Sequence, residues 1–143
     1  MGLIKSMYGK KVFLDTTPLI HYIEGNNIYV EMLSELFSAH SRCQFITSVI
    51  TLLEVLVVPL REGNTKLAKQ YESILTFAEN INIYEINIQI AKESARLRAQ
   101  YKIKTPDAIQ LATANYCLVD YFLTNDLRLK SIKELNILTL NDL

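Results

Sequence analysis

Residues 105–126 read TPDAIQLATANYCLVDYFLTND and contain, in direct succession, a helix start, an apolar helix and a buried strand. Thr105 fits the N-cap position and Pro106 the first helical position, so we predict a helix beginning there. The apolar run VDYFL then predicts a strand that runs into a polar turn at Thr124–Asp126. A helix that leads directly into a buried strand is typical of the βαβ crossovers of parallel sheets.

The segments on either side of this stretch continue the alternation of strands and helices. Strands are predicted at KVFLD (11–15), Cys43–Ile46, INIYEI (81–86) and, at an edge, NILTL (136–140). Helices are predicted at Pro18–Ile23, stopped by Gly25, and at 28–40, Val49–Val58 before Pro59, Thr65–Ala78 and 88–101. We therefore expect an α/β fold: a three-layer α/β/α sandwich with a central, mainly parallel sheet of about five strands, forming a single domain over residues 1–143.

The composition limits the classes of function. Half of the 143 residues are hydrophobic, and Lys plus Arg equals Asp plus Glu at 15 each. A net charge of zero argues against bulk electrostatic binding of nucleic acid, although a local basic patch remains possible. Cys43 and Cys117 lie in apolar stretches and are predicted to be reduced core residues. With no signal-peptide core and no apolar run of about 20 residues, we expect a soluble cytoplasmic protein without membrane contact.

Four carboxylates lie in otherwise apolar or neutral surroundings: Asp15, Glu54, Asp107 and Asp126. Asp15 and Asp126 follow predicted strands, and the carboxyl ends of parallel strands meet at one edge of a sheet, where ligands bind. Either residue alone is as easily a turn or cap aspartate. Asp107 is explained equally well by the helix dipole at a helix start. Glu54 lies in a segment that is apolar nearly all round, as in a buried helix, so a buried ion pair is its alternative to a metal.

If the four carboxylates converge, their chemistry favours a hard cation. Oxygen ligands without His or Cys suit Mg²⁺ or Mn²⁺, ions that orient a phosphodiester and lower the pKa of a water nucleophile. The hydroxyl of Thr124 and the small neutral side chains that flank Asp15 and Asp126 are suited to orienting a carboxylate.

Four segments in order resemble the motifs of PIN-domain proteins, above all the VapC-like ribonucleases of toxin–antitoxin pairs. They are DTTPLI, TSVITLLEVL, TPDAIQLATA and FLTND. The resemblance implies a Mg²⁺- or Mn²⁺-dependent endoribonuclease that leaves a 5′-phosphate and a 3′-hydroxyl. It places the catalytic and metal-binding acids on Asp15, Glu54, Asp107 and Asp126, with Thr124 as the hydroxyl residue of the last motif. It also implies a homodimer and inhibition by a small antitoxin protein. For an RNA substrate, Lys104 and Arg128, three and two residues from predicted site acids, are the best candidates for phosphate contacts, with solvated surface charge as their alternative.

Three other classes of function compete with the ribonuclease, and the sequence argues against two of them. A phosphoacceptor signalling domain needs an acidic pair near the first strand, and KVFLD has none before Asp15, while Thr17 excludes a phosphatase of the DxD type. A catalytically silent module that uses this fold to bind RNA or protein remains open, because intact acids do not prove turnover. For a dimer, the apolar stripes of the helices at 27–40 and 65–78 are candidate interfaces.

Overall fold

The computed structural model describes residues 2–25 and 27–143 of the chain. Its helices are α1 (Gly2–Ser6), α2 (Thr16–Glu24), α3 (Val30–Phe37), α4 (Val49–Arg61), α5 (Thr65–Phe77), α6 (Ile88–Gln100) and α7 (Thr105–Tyr116). Its strands are β1 (Lys11–Leu14), β2 (Gln44–Ser48), β3 (Ile81–Tyr84), β4 (Tyr121–Thr124) and β5 (Ile137–Thr139). Short 3-10 helices lie at Ala39–Ser41, Leu127–Ser131 and Leu140–Asp142.

The five strands form one sheet in the order β3-β2-β1-β4-β5, with all strands parallel. The predicted α/β/α fold with a mainly parallel sheet of about five strands is confirmed. β5 lies at an edge, as predicted for the segment around NILTL. Parallel strands that are buried on both faces read as continuous apolar runs, which is why KVFL and YFL were recognisable in the sequence.

Most predicted elements are found within two residues of their expected ends, and two boundaries are corrected. α4 does not stop before Pro59 but continues to Arg61. A proline in the last turn removes only one intrahelical donor, and its own carbonyl accepts a 2.8 Å bond from the N–H of Asn64. The N-cap of α7 is Lys104, not Thr105. The hydroxyl of Thr105 instead accepts a 2.7 Å hydrogen bond from Nη1 of Arg98.

Contacts divide the chain into two compact units, the first comprising residues 1–45 and 119–143. Its core is formed by β1 and β4, whose registers pair Phe13 with Phe122. These two rings stack with their centroids 5.0 Å apart, and both are fully buried. α2 follows β1 directly and ends at Gly25, whose φ of 69° is the left-handed conformation that terminates a helix.

The second unit comprises residues 46–118 and contains α4, α5, β3, α6 and α7. α4 packs on α5, and α6 packs on α7. α7 is the most deeply buried helix of this unit, because every residue from Ala108 to Ala114 except Ile109 is buried. The prediction of a single domain over residues 1–143 stays a prediction.

Two further expectations concern the cysteines and the membrane. Cys43 and Cys117 are both buried and neither forms a disulfide, as predicted. Within residues 2–25 and 27–143, the helices are all too short or too polar to cross a bilayer.

Candidate active site

In the first unit, Asp15 lies at the carboxyl end of β1, beside the last residue of β4. Its backbone N–H continues the sheet ladder by donating a 2.9 Å bond to the carbonyl of Leu123. Its Oδ1 accepts a 2.9 Å bond from the N–H of Thr16, which makes Asp15 the N-cap of α2. Its Oδ2 accepts a 2.8 Å bond from the hydroxyl of Thr124. The half-buried carboxylate of Asp15 is therefore held at both of its oxygens.

Thr124 also connects Asp15 to Asp126. The fully buried hydroxyl of Thr124 accepts a 3.1 Å bond from the N–H of Asp126 while it donates to Asp15. A hydroxyl that receives one proton and gives one is fixed in its rotation. Thr124, the hydroxyl residue of the FLTND motif, thus joins the two aspartates that follow the strands.

The carboxylate of Asp126 is bound by Arg128. Oδ1 accepts 3.0 Å bonds from both the backbone N–H and Nε of Arg128, and Oδ2 lies 2.7 Å from Nη2. The backbone bond is a cap on the 3-10 helix at Leu127–Ser131. The two side-chain bonds form a bidentate ion pair, and the Arg128 side chain in it is 76% exposed. A predicted RNA-binding residue therefore contacts a predicted metal ligand.

Glu54 and Asp107 lie in the second unit. The expectation that α4 is buried all round is wrong, since its buried residues are Thr51, Val55 and Pro59, one per turn. Glu54 is exposed, and so are several apolar residues of α4. The apolar composition suggested burial, but composition does not distinguish a core helix from one with an exposed apolar face. Asp107 is half-buried in the first turn of α7, as predicted, where the free N–H groups favour a carboxylate.

The donor chemistry of the predicted metal ligands suits a hard cation, since all four are carboxylates. The side chain of Arg128 engages both oxygens of Asp126 and so competes with a cation for this carboxylate. Across the described residues, no group of three or more His, Cys, Asp and Glu side chains is arranged to hold a metal ion.

Sequence reasoning overlooked a buried polar group in the second unit. The carboxamide of Gln110 in α7 is hydrogen-bonded to the hydroxyls of Ser48 and Thr51 at the start of α4. The signal was present, since Gln110 interrupts the apolar run of IQLATA. A polar side chain on a buried helix face requires a hydrogen-bond partner inside the protein.

A parallel α/β sheet with carboxylates following its strands is the architecture of PIN-type proteins, and comparison with known sequences agrees. The sequence profile described as "PIN domain" matches residues 12–135. The chain belongs to the PIN domain family. No curated protein sequence matches the chain.

Solved structures extend the comparison to toxin–antitoxin proteins. A chain of a toxin–antitoxin complex from Klebsiella pneumoniae superposes with a TM-score of 0.72 at 26% identity, covering 92% of this chain and 99% of that one. A chain of VapBC2 from Rickettsia felis, bound to a promoter DNA fragment, gives a TM-score of 0.72 at 16% identity, covering 90% and 98%. VapC20 from Mycobacterium tuberculosis, a toxin that cleaves the sarcin–ricin loop, gives 0.69 at 13%, covering 84% and 93%. The fold is VapC-like.

Proposed function

We propose that this chain is a Mg²⁺- or Mn²⁺-dependent endoribonuclease and the toxin of a toxin–antitoxin pair. The observation that carries the proposal is the hydrogen bond from Thr124 to Asp15 at the carboxyl ends of adjacent parallel strands, in a chain of the PIN domain family. It orients an ionisable carboxylate in advance, at the edge of the sheet where α/β proteins bind ligands. The substrate is RNA, and the products carry a 5′-phosphate and a 3′-hydroxyl.

In this proposal Asp15, Glu54, Asp107 and Asp126 hold the cation. When bound, the ion would neutralise phosphodiester charge and lower the pKa of the attacking water. Thr124 holds the carboxylate of Asp15 in one orientation, so that reorganisation at that oxygen is small. The four carboxylates without a cation would repel RNA, which predicts that divalent ions support both substrate binding and turnover.

Positive side chains have to hold the RNA backbone. We propose Lys104 and Arg128 for this role: Lys104 is exposed at the N-cap of α7, and Arg128 is exposed beside Asp126. Arg128 would exchange its carboxylate partner for a phosphate when Asp126 takes part in metal binding. With a net charge of zero, RNA affinity depends on few contacts and falls with salt.

We propose a homodimer and a small antitoxin as partners, in the cytoplasm. The structures of relatives solved as toxin–antitoxin complexes support the antitoxin. For the dimer, α3 buries its apolar residues Leu33, Leu36 and Phe37. α4 instead exposes Leu53, Val57 and Leu60, the first and last at 59% and 63%. Their spacing of four and three residues forms one apolar stripe, so we place the dimer contact on α4.

The second candidate function is a catalytically silent module that binds RNA or protein through the same fold. The ion pair between Asp126 and Arg128 favours this candidate, because it engages a predicted metal ligand within the chain. A gel-shift assay separates the two candidates. Binding of a structured RNA without cleavage, in the presence of Mg²⁺ or Mn²⁺, would identify the silent module.

The decisive experiment measures cleavage of a structured RNA by purified protein with Mg²⁺, with Mn²⁺ and with EDTA. We expect metal-dependent cleavage that Asp15→Asn lowers about 100-fold or more, because the substitution removes the charge and one carboxylate oxygen. Asp120→Asn is the matched control. Asp120 precedes β4, at the opposite end of the parallel pair, where its Oδ2 accepts a 2.9 Å bond from the N–H of Lys11. The proposal is contradicted if Asp15→Asn cleaves RNA as fast as the wild type, or if the wild type cleaves no RNA with any metal tested.

A further inference from the structure

The carboxamide of Gln110 links α7 to the start of α4 within the second unit. Gln110 is 2% exposed, and its Nε2 donates a 2.6 Å bond to the hydroxyl of Thr51. Its Oε1 accepts a bond from the hydroxyl of Ser48. Ser48 and Thr51 are both fully buried. We name these three residues the Gln110 clamp.

The directions of the hydrogen bonds in the clamp follow from the chemistry of its members. The hydroxyl of Ser48 is the N-cap of α4 and accepts a 3.1 Å bond from the N–H of Ile50. Its own proton therefore goes to an acceptor, which is Oε1 of Gln110. This choice orients the carboxamide so that Nε2 points at Thr51. The clamp thus connects α7 with two points of the first turn of α4.

α4 depends on such directional contacts more than a core helix does. It fully buries Thr51, Val55 and Pro59 and half-buries Leu52 and Leu56, while Leu53, Val57 and Leu60 are exposed. Apolar burial is non-directional, so one buried residue per turn fixes the rotation of a helix about its axis poorly. Hydrogen bonds weaken steeply when their angles change, so two of them at one end fix that rotation well.

The predicted catalytic acids lie one turn away from the clamp. Glu54 follows Thr51 by three residues in α4, and Asp107 precedes Gln110 by three residues in α7. Residues three apart share one face of a helix. Glu54 and Asp107 are therefore the helical neighbours of the two residues that this bond joins, although Glu54 itself is exposed.

We infer that Gln110 is a positioning residue that sets the direction of Glu54 relative to Asp107. The inference rests on the proposed function, since it concerns the use of these two acids. Gln110 itself does not contact substrate or cation in this scheme. It acts through the rotation and the axial position of α4. A purely structural role predicts instead that Gln110 affects stability alone.

A triple variant, Ser48→Ala, Thr51→Val and Gln110→Met, separates the two roles. It removes the hydrogen bonds and also the polar groups that a single substitution would leave buried without partners. We therefore expect its melting temperature to fall only by the few degrees that loss of the Ser48 N-cap costs. Thr113→Val is the matched control. Thr113 is buried one turn further along α7. Its hydroxyl donates a 2.7 Å bond to the carbonyl of Ile109 in the same helix.

Three measurements are made on each protein: RNA cleavage, Mn²⁺ binding by electron paramagnetic resonance, and amide hydrogen exchange at residues 50–54. For the triple variant we expect a fall of about tenfold in kcat with little change in KM, and a comparable loss of Mn²⁺ affinity. We also expect faster exchange at residues 50–54. Thr113→Val should match the wild type in all three. Thr51→Val alone, which removes one clamp bond with little change of shape, should shift each quantity in the same direction if the triple variant does not fold.

The outcomes keep the inference and the proposed function apart. Wild-type protein that cleaves RNA and binds Mn²⁺, together with variants that do both equally well, overturns the inference and leaves the ribonuclease standing. Wild-type protein that neither cleaves nor binds Mn²⁺ refutes the proposed function, and the positioning role fails with it. In that case hydrogen exchange still shows whether the clamp holds the start of α4.

Discussion

The hydroxyl of Thr124 donates a 2.8 Å hydrogen bond to Oδ2 of Asp15, across the parallel pair formed by β1 and β4. The register makes this contact possible, because Leu14 pairs with Leu123 and the next residue of each strand comes alongside. The N–H of Thr16 holds the other oxygen of the same carboxylate at 2.9 Å. Asp15 is thus oriented by the sheet on one side and by a helix start on the other.

Thr124→Val removes this hydroxyl with almost no change of volume. We expect RNA cleavage to fall about tenfold, because the carboxylate of Asp15 loses the bond that orients it. We expect the free energy of unfolding to fall by about 1–2 kcal/mol, since the N–H of Asp126 also loses its acceptor. Steady-state cleavage and urea denaturation measure the two effects. Thr124→Ser keeps the hydroxyl and should retain most activity, so equal activity of the valine and serine variants would refute the orienting role.

Arg128→Gln opens the ion pair on Asp126. An exposed pair of this kind contributes less than about 1 kcal/mol, so we expect Mn²⁺ affinity to rise only about two- to fivefold. RNA affinity should fall, and the slope of log affinity against log salt should decrease by about the amount expected for one phosphate contact. Paramagnetic resonance and filter binding across a salt series measure these changes. Lys133→Gln is the control, since it removes the same charge from an ammonium that donates to a backbone carbonyl. Weaker Mn²⁺ binding in Arg128→Gln alone would contradict the expectation.

The ion pair of Asp142 with Lys130 makes the stability of the first unit dependent on pH. The ammonium of Lys130, 2.7 Å away, holds the pKa of the Asp142 carboxyl below its ordinary value of 3.8, helped by the backbone N–H of Thr139. A lowered pKa in the folded state adds stability above the unfolded value, and that stability is lost as the pH falls through the folded value.

Asp142→Asn should therefore lower the free energy of unfolding by less than about 1 kcal/mol at pH 7, because the carboxamide oxygen can still accept from Thr139 and only the screened ion pair with Lys130 is lost. The difference from wild type should shrink as the pH falls below 3.8. Urea denaturation at pH 7 and at acid pH tests this. An equal difference at both values would show that the charge of Asp142 does not contribute.

Val57→Lys tests the exposed stripe on α4 as the dimer contact. Val57 is exposed, so we expect a folded protein with its melting temperature within a few degrees of wild type. If two copies pair through this face, the buried lysine charges should convert a dimer into a monomer in size-exclusion chromatography with light scattering. Gln70→Lys adds the same charge to an exposed position on α5 and should leave the mass unchanged. A Val57→Lys protein that stays dimeric places the contact elsewhere.

The strands and the class of fold were predictable because the signals are local. KVFL and YFL are uninterrupted apolar runs, as strands buried on both faces must be, and Gly25 marked the end of α2. Boundaries that depend on one bond were not predictable. Thr105 has the chemistry of an N-cap, but its hydroxyl accepts from Arg98 instead. The burial of Glu54 was predicted wrongly, because an apolar sequence does not reveal whether a neighbour covers the helix.

By itself, the sequence determined the alternation of strands and helices, the place of Asp15, Asp107 and Asp126 at strand or helix ends, and the membership in the PIN domain family. These depend on periodicity and residue type, which act over a few neighbouring positions. Only the three-dimensional structure shows that the hydroxyl of Thr124 donates to Asp15, that Arg128 forms an ion pair with Asp126, and that Gln110 links α7 to α4 by a hydrogen bond. Two of these contacts join residues more than 50 positions apart, and the third depends on one rotamer of an exposed arginine. Directional bonds of a few ångströms are set by register and packing, which the order of residues does not display.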